Sequence, residues 1–280
     1  MANKKVKVGE LIFQIVIFLV ALCILVFAFI PIFLMIVLSL KSQVQIYGNF
    51  WSLPNPVEWS NYSMAFTSLF PNMINSLIVV VVGVAGAVLL AANSGYVFAK
   101  LNFPGKNVLF MFIMALMMIP GCLTLTPQFT LIQDLGLKNS WFALWLPWVA
   151  GGQVFGIILC RTFMSAIPTE IFESARIDGC GELRALFTIA IPLSKPILAT
   201  LAINNMIGFY NDFIWPTMVI ESNSKQVIMV AVRVFQAATG TMNVGAMVAG
   251  FVIATIPLLI LFLCGSRLYI EGLTSGAVKG

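Results

Sequence analysis

A short run of charged and small residues could bind a partner from water, in a chain that is otherwise strongly apolar. Glu173–Ala175 is followed by Asp178-Gly179 and, after nine intervening residues, by Ile189–Pro192. Only 9% of the residues of the chain are charged, so this cluster between two long apolar runs stands apart. The sequence shows no paired carboxylates, His-rich cluster or nucleophile–base pair, which argues against an intramembrane enzyme.

Residue types alone leave two interpretations of this cluster open, a docking site or an ordinary solvated charged loop. The chain has no Gly-x-x-x-x-Gly-Lys-Ser/Thr phosphate loop, so the docking interpretation makes the cluster the place where energy enters from another protein. Residues 150–153 faintly echo an ATPase signature but lie inside an apolar run. We interpret Gly151, Gly152 and Gly156 as a close helix–helix contact instead.

The composition is that of an integral membrane protein. The 280 residues are 60% hydrophobic with a mean hydropathy of +1.02, whereas soluble domains are about half apolar and about a quarter charged. The net charge of +5 orients loops across a bilayer and does not indicate nucleic acid. The chain has no His and five cysteines without paired spacing, so we expect no disulfide framework, metal site or bound cofactor.

Six apolar runs are long enough to cross the hydrocarbon, which needs about 20 residues. They lie at residues 11–40, 73–98, 107–133, 141–163, 190–220 and 244–270. The first follows three lysines, but it is about twice as long as a signal-peptide core and no small-x-small cleavage site follows it. The sequence therefore predicts an all-α membrane protein with six transmembrane helices, the first of them retained.

The distribution of Lys and Arg predicts that both termini lie on the cytoplasmic side of a cell membrane. With six spans the termini share a side, and placing them inside puts 11 basic residues inside and 4 outside, in agreement with the positive-inside rule. The outer four are Lys41, Lys138, Lys225 and Arg233. Residues 164–190, called the charged loop below, are then cytoplasmic.

We expect three regions along the chain. Residues 1–72 hold the first span and an external segment, in which residues 59–70 are predicted to form an amphipathic helix near the outer surface. Residues 73–270 hold the other five spans and the charged loop, and residues 271–280 form a cytoplasmic tail. The lipid bilayer is thus one partner of this chain.

The charged loop is predicted to contain two short helices joined by a turn. Thr169 is a suitable N-cap and Glu170 suits the first turn of a helix that runs to Asp178. Gly179 and Gly181 then permit a sharp turn. A second short helix is expected to carry Glu182 before Pro192 and the next span.

Polar residues within the fifth span are candidates for a substrate pathway, because polar side chains in a membrane must face protein or water. Amide and carboxylate groups with an aromatic ring suit a neutral sugar. The alternative is interhelical hydrogen bonding, which polar residues in bundles also serve. The candidates are Asn204, Asn205, Tyr210, Asn211, Asp212 and Trp215.

The spacing around the charged loop resembles a known motif. Glu173-x-Ala175-x-x-x-Gly179, nine residues, then Ile189-x-Ile191-Pro192 is similar to the EAA loop of ATP-binding-cassette importer permeases, whose pattern is Glu-Ala-Ala, three residues, Gly, nine residues, Ile-x-Leu-Pro. Ser174 replaces the second Ala and Ile191 replaces Leu. Asp178, directly before the glycine, is similar to the residue at that position in the sugar-importer branch of the family.

Two further stretches resemble carbohydrate permeases of this family. Asn211-Asp212-Phe213-Ile214-Trp215-Pro216 is similar to a family Asn-aromatic-Pro stretch, and residues 272–280 are similar to the tail of the smaller permease of the maltose importer. The resemblance implies a type I importer permease fold with a cytoplasmic coupling loop. It also implies that Ser275, Gly276 and Lys279 reach the ATPase.

The resemblance also implies partners and a mechanism. These are a second, homologous permease, an ATP-binding-cassette ATPase dimer that carries ATP-Mg, an extracytoplasmic solute-binding protein, and a sugar or oligosaccharide. The chain itself would be no enzyme. It would couple to the ATPase through Glu173, Ser174, Ala175, Asp178, Gly179 and Pro192, with Glu173 against a basic residue of the ATPase.

One rival transport class stays open on the residues alone. An ion-coupled secondary transporter of small polar solutes usually places acidic or His residues at mid-membrane. Here only Asp212 comes near such a position, and the chain has no His.

Overall fold

The computed structural model describes residues 8–240 and 242–277, which form helices joined by turns, with no strand among them. The helices are α1 (Val8–Ser39), α2 (Gln43–Gly48), α3 (Ser60–Lys100), α4 (Lys106–Leu116), α5 (Gly121–Asp134), α6 (Phe142–Ser165), α7 (Thr169–Ile177), α8 (Glu182–Ala185), α9 (Ile191–Leu193), α10 (Lys195–Asn211), α11 (Ile214–Val219), α12 (Ile228–Thr239) and α13 (Val244–Ala277). A π-helix at Leu186–Ala190 joins α8 to α9, and a 3₁₀ turn lies at Asn223–Lys225.

The first predicted span is a single helix, α1, of 32 residues that continues through Pro31. Every side chain from Ile12 to Phe33 is exposed within this chain. An apolar helix with this much exposed surface is stable only when lipid or another apolar surface surrounds it. The expected retained helix at residues 11–40 therefore matches α1 closely.

The second predicted span is longer than expected. α3 runs for 41 residues and contains Pro71, and it unites the segment predicted as a separate surface helix with the span at 73–98. Helices of membrane bundles can continue through a proline when neighbouring groups satisfy the freed carbonyl. The predicted regional boundary between residues 72 and 73 thus falls inside one helix.

Two predicted spans are bent rather than straight. The run 107–133 divides into α4 and α5, which meet at 98°. Pro120, which has no N–H to continue α4, is the residue that precedes α5. The run 190–220 bends by 82° at Ser194 and ends at Asn211, so its expected extent was wrong.

The end of α10 has a local cause. Asp212 takes an extended conformation, and its Oδ1 accepts a 3.2 Å hydrogen bond from the Trp215 N–H, which starts the short helix α11. A side-chain cap of this kind competes with continuation of the preceding helix. Among the residues that the structure describes, four uninterrupted helices are long and apolar enough to span a membrane, and the number is six if each bent pair counts as one span.

The described chain forms two compact units. One contains the residues up to Ser68 together with Phe235–Ile253, and the other contains Leu69–Val234 and the chain from Ala254 onward. In the first unit Lys41 is fully buried, and its Nζ donates 2.9 Å hydrogen bonds to the Asn49 and Phe50 carbonyls. These bonds satisfy a cation that would otherwise be costly to bury.

Small residues hold helices together in the second unit. A Cβ on Gly156 would lie 2.7 Å from the Ala91 Cβ and 2.6 Å from a Leu201 methyl, so α3, α6 and α10 approach closely there. Gly152 is similarly tight against Asn205. Gly151 faces open space, so its expected role in this contact was wrong. Small residues at such crossings are the usual means of close packing in membrane bundles.

Candidate functional site

The first short helix of the charged loop, α7, is amphipathic. Phe172 is 1% exposed, whereas Glu173 and Ser174 are exposed and Ala175 is half-buried. The helix begins at Thr169 and has Pro168 at its N-cap, so the expected capping role of Thr169 was wrong. Pro168 fits because its fixed φ suits the approach to a helix and its missing N–H costs no bond there.

Phe172 anchors α7 to the end of α3. Its ring centroid is 5.8 Å from that of Tyr96, and the Lys100 ammonium lies 5.0 Å from the centre of the same ring. The Lys100 ammonium also donates a hydrogen bond to the Ile167 carbonyl, just before α7. The loop is therefore attached to a long helix by a buried aromatic side chain and by a cation that bridges the two.

The turn after α7 lies at Gly179, where the sequence predicts it. Gly179 has φ +81°, its N–H donates to the Arg176 carbonyl, and the Cys180 N–H donates to the Ala175 carbonyl. This pair of bonds is the Schellman arrangement that ends a helix with a left-handed residue. Glycine occupies that position without the steric cost that a Cβ would bring.

Glu182, the first residue of α8, joins three elements. Its Oε2 accepts a 2.7 Å hydrogen bond from the Tyr96 hydroxyl, and its Oε1 accepts a 2.8 Å bond from Arg176 Nε. These bonds lower the pKa of Glu182, mainly that from Arg176 and then that from Tyr96. The carboxylate thus closes the loop on itself and ties it to α3. Sequence reasoning placed Glu182 on the second helix but did not foresee this contact.

The second half of the loop leads into a sharp bend. After the π-helix at Leu186–Ala190, the short α9 contains Pro192, and the chain then turns by 82° at Ser194. Ser194 is fully buried, and its Oγ has no hydrogen-bond partner among the described residues. An extra residue in a helical turn and an unpaired buried hydroxyl are both features found where helices flex or act.

Most of the predicted coupling residues are exposed. Glu173, Ser174, Asp178, Gly179 and Pro192 are all exposed, and Ala175 is half-buried. Two apolar side chains that sequence reasoning did not single out are also exposed: Ile177 by 87% and Leu183 by 70%. The sequence feature that could have revealed them is their apolar character within a polar loop. An exposed mixture of acidic and apolar side chains on short helices is suited to a protein partner.

The predicted pathway residues do not form one group. Asn204 and Asn211 are exposed on α10, whereas Asn205, Tyr210 and Trp215 are buried. The Tyr210 hydroxyl donates to the Ala254 carbonyl at 2.6 Å, and Trp215 Nε1 donates to the Ala143 carbonyl at 2.8 Å. These two residues therefore hold helices together, as the alternative of interhelical bonding predicts.

Asp212 is held by an indole that sequence reasoning missed. Trp148 Nε1 donates a 2.8 Å hydrogen bond to Asp212 Oδ2, and the Trp148 ring stacks on Phe209 with centroids 5.0 Å apart and planes 5° apart. Close by, Asn205 Nδ2 is buried without a hydrogen-bond partner among the described residues. The half-buried Asp212 thus has a structural role as the cap between α10 and α11.

Two other expectations concern the tail and metal sites. Ser275 and Gly276 belong to α13, but their side chains lie outside the described part of the chain, as does all of Lys279. Within the described residues no three His, Cys, Asp or Glu side chains are grouped so that they could hold a metal ion.

Comparison with known proteins identifies the family. Residues 83–270 match the binding-protein-dependent transport system inner membrane component family. The chain belongs to this family. As a transport permease it is not an enzyme.

The permease is similar to several bacterial relatives. It is 31% identical to the probable ABC transporter permease protein YurM of Bacillus subtilis, over 89% of this chain and 83% of YurM. It is 33% identical to the arabinooligosaccharides transport system permease protein AraQ of Halalkalibacterium halodurans, over 74% of this chain and 73% of AraQ.

The fold is also shared with solved structures. A crystal structure of a bacterial ABC transporter involved in the import of the acidic polysaccharide alginate matches with a TM-score of 0.79 and 22% identity. The match covers 95% of the permease and 99% of that chain. The predicted importer-permease fold is confirmed by this likeness.

Proposed function

We propose that the permease forms half of the path by which an ATP-driven importer carries a sugar or oligosaccharide across the cell membrane. The coupling of this chain to an ATPase is supported by one observation, the exposed face of the charged loop. The loop is attached to α3 through Phe172 and Glu182. The sugar class is supported by the printed name of AraQ, a relative at 33% identity. An ion-coupled mechanism has no support in these observations.

The proposed orientation places both termini and the charged loop in the cytoplasm. The excess of Lys and Arg on that side supports it. ATP-Mg would then bind to a separate ATPase dimer that docks on the loop. A second, homologous permease would complete the path, and an extracytoplasmic solute-binding protein would deliver the sugar.

The loop would transmit the motion of the ATPase as a rigid lever. Closure of the ATPase dimer on ATP would displace α7, and the bend at Ser194 would allow α10 to change its angle relative to the loop. Alternating access requires an element that has two arrangements. The ATPase and the sugar must each shift the equilibrium between those arrangements. Glu173 would make the ion pair that fixes α7 to the ATPase.

Within this proposal, the pathway face of the chain is the exposed side of α10. Asn204, Ile207, Gly208 and Asn211 are exposed and recur at helical spacing. The Asn204 amide has no hydrogen-bond partner among the described residues. A free amide within a span is costly unless it faces water or a partner. Asn204 and Asn211 would thus contact the sugar or the second permease.

Charge reversal at Glu173 tests the proposal directly. In the assembled complex, Glu173→Lys should abolish sugar-stimulated ATP hydrolysis and leave membrane insertion intact, because a like charge would face the basic group of the ATPase. The matched control is Asp134→Lys, which reverses an exposed carboxylate at the end of α5. Normal stimulation in the Glu173 variant would refute the proposed coupling, and so would an equal loss in the control.

A further inference from the structure

A basic cavity lies where α3, α4 and α6 end or begin on the side of the charged loop. Its volume is about 480 Å³. The residues that line it come from the α3–α4 connection, the first turn of α4 and one position of α6: Asn102, Phe103, Gly105, Lys106, Asn107, Val108 and Arg161. Neither the family nor the proposed sugar path assigns a role to this cavity.

The cavity carries two positive charges and no negative one. The lining includes no carboxylate, and the sequence has no Asp or Glu between Glu58 and Asp134. The Lys106 ammonium donates one hydrogen bond, to the Leu101 carbonyl at 2.8 Å, which leaves two of its three donors. An uncompensated pair of cations beside a membrane attracts an anion.

Arg161 is arranged so that its donors remain available. The carbon of its guanidinium lies 3.6 Å from the centroid of the Phe110 ring, so a face of the group packs on the ring. No described residue accepts a hydrogen bond from it. A guanidinium packed by its face keeps its edge N–H groups for a planar or tetrahedral oxyanion such as phosphate.

An apolar groove lies along the same helix, α4, and its first α4 residue directly follows the last one that lines the cavity. Val108 lines the cavity and the next residue, Leu109, lines the groove, whose volume is about 470 Å³. Its other lining residues are Phe98, Phe112, Ile113, Ala115, Leu116 and Ile119. From Leu109 to Leu116 the helix rises about 10 Å, compared with about 15 Å for the hydrocarbon of one leaflet. A charged end followed by an apolar channel has the chemistry of a phospholipid.

We propose that the cavity and the groove together bind one anionic phospholipid, with its phosphate against Lys106 and Arg161 and an acyl chain along α4. The inference rests on the proposed orientation, which places this end of the bundle in the cytoplasmic leaflet, where anionic lipid headgroups meet basic side chains. Arg161 lies one helical turn before Ser165, the last residue of α6, so the lipid would brace the root of the charged loop.

The test counts bound lipid on the intact complex. The complex is extracted, washed with detergent, supplied with phosphatidylglycerol or phosphatidylcholine, and examined by native mass spectrometry. We expect one phosphatidylglycerol for each copy of this chain and about tenfold weaker retention of phosphatidylcholine, because its choline ammonium cancels the charge of the phosphate and is repelled by Lys106 and Arg161. Equal retention of the two lipids by the wild-type complex would overturn the proposal, and this comparison needs no variant.

Variants locate the site. Arg161→Gln should release phosphatidylglycerol about tenfold more readily. Lys138→Gln is the matched control, because Lys138 also lies over a phenyl ring, that of Phe129 at 5.4 Å, but does not line the cavity. Unchanged retention in the Arg161 variant would place the lipid elsewhere and contradict the proposal.

Two further measurements distinguish a phospholipid from other occupants of the cavity and the groove. Inorganic phosphate at millimolar concentration should not displace the lipid, because it cannot use the groove; displacement would reduce the site to a phosphate site. A photoreactive group attached to the thiol of Leu109→Cys, with the native cysteines replaced by alanine, should crosslink to a lipid acyl chain; a crosslink to the second permease would instead show that protein covers the groove and would contradict the proposal. The amount of bound lipid is measured independently of sugar-stimulated ATP hydrolysis. Either this proposal or the transport proposal can therefore fail while the other stands.

Discussion

The hydroxyl of Tyr96, near the end of α3, lies 2.7 Å from Oε2 of Glu182 at the start of α8. The two residues are 86 positions apart in the sequence, and their contact fixes the charged loop to the longest helix of the chain. Besides this hydrogen bond, the loop contacts α3 through the ring of Phe172 and through Lys100.

Tyr96→Phe should weaken the coupling between ATP hydrolysis and transport. The substitution removes the hydroxyl but keeps the ring against Phe172, and a hydrogen bond to a charged group contributes about 1.5–3 kcal/mol. We expect more ATP hydrolysed per sugar transported by the reconstituted complex. Tyr62→Phe, which removes a hydroxyl that lies 2.7 Å from Ser39 Oγ, is the control and should keep the normal ratio. An unchanged ratio in the Tyr96 variant would show that the bond transmits nothing.

Gly179→Ala should loosen the turn of the loop, whereas Gly181→Ala should not. A Cβ at either position would meet open space, so the two differ only in backbone conformation: φ is +81° at Gly179 and −72° at Gly181. The left-handed conformation costs an alanine about 1–2 kcal/mol. Hydrogen exchange of the amides from 176 to 183 should quicken in the first variant alone. Equal exchange in both variants would argue against a strained turn.

The Arg176–Glu182 contact should persist throughout the neutral pH range. The pKa of Glu182 is lowered in the folded protein, so its contribution to stability is present above the unfolded value of about 4.3 and is lost as the pH falls through the lower folded value. A spin label on Ile177→Cys, with the native cysteines replaced by alanine, should keep its mobility from pH 8 to pH 5.5. Glu182→Gln should raise that mobility at every pH. A rise in the parent protein within this range would contradict the assignment.

Gly156→Ala should destabilise the permease, whereas Gly151→Ala should not. The new methyl at 156 would overlap Ala91 and Leu201, and overpacking of this kind costs about 1–3 kcal/mol. At 151 the methyl enters open space and alanine is the better helix former. Thermal unfolding of the complex in one detergent should fall by several degrees for the first variant only. A similar midpoint for both would mean that the crossing relaxes.

Asn204→Ala and Asn211→Ala should weaken sugar transport without loss of assembly. Loss of one neutral hydrogen bond costs about 0.5–1.5 kcal/mol, which is a rise in transport KM of about three- to tenfold. Ile207→Ala changes the same exposed face without removing a polar group and should leave KM unchanged. If all three variants match the parent, the sugar contacts lie on the second permease.

The spans were largely predictable because apolar length is a direct requirement of the bilayer. The bends were not, because proline does not by itself mark them. Pro71 and Pro147 lie inside uninterrupted helices, whereas Pro120 lies at a break. Whether a proline interrupts a helix depends on which neighbouring groups satisfy the freed carbonyl, and those neighbours are distant in sequence.

The charged loop was predictable in its local features only. The turn at Gly179 depends on a few adjacent residues, and short-range spacing describes it completely. The Trp148–Asp212 bond joins residues 64 positions apart, and the mid-span candidates could not be separated into structural and exposed groups until their neighbours were known. Tyr210 and Trp215 illustrate this, since each has its polar atom paired with a distant carbonyl.

The exposure of α1 within the chain has a consequence for sequence drift. Its side chains from Ile12 to Phe33 are all exposed within this chain, and the family match begins only at residue 83. At these positions we expect selection within the chain to act on apolarity and length more than on individual side chains. One apolar residue can replace another there at little cost, whereas a substitution of Glu182 removes a carboxylate that accepts two hydrogen bonds.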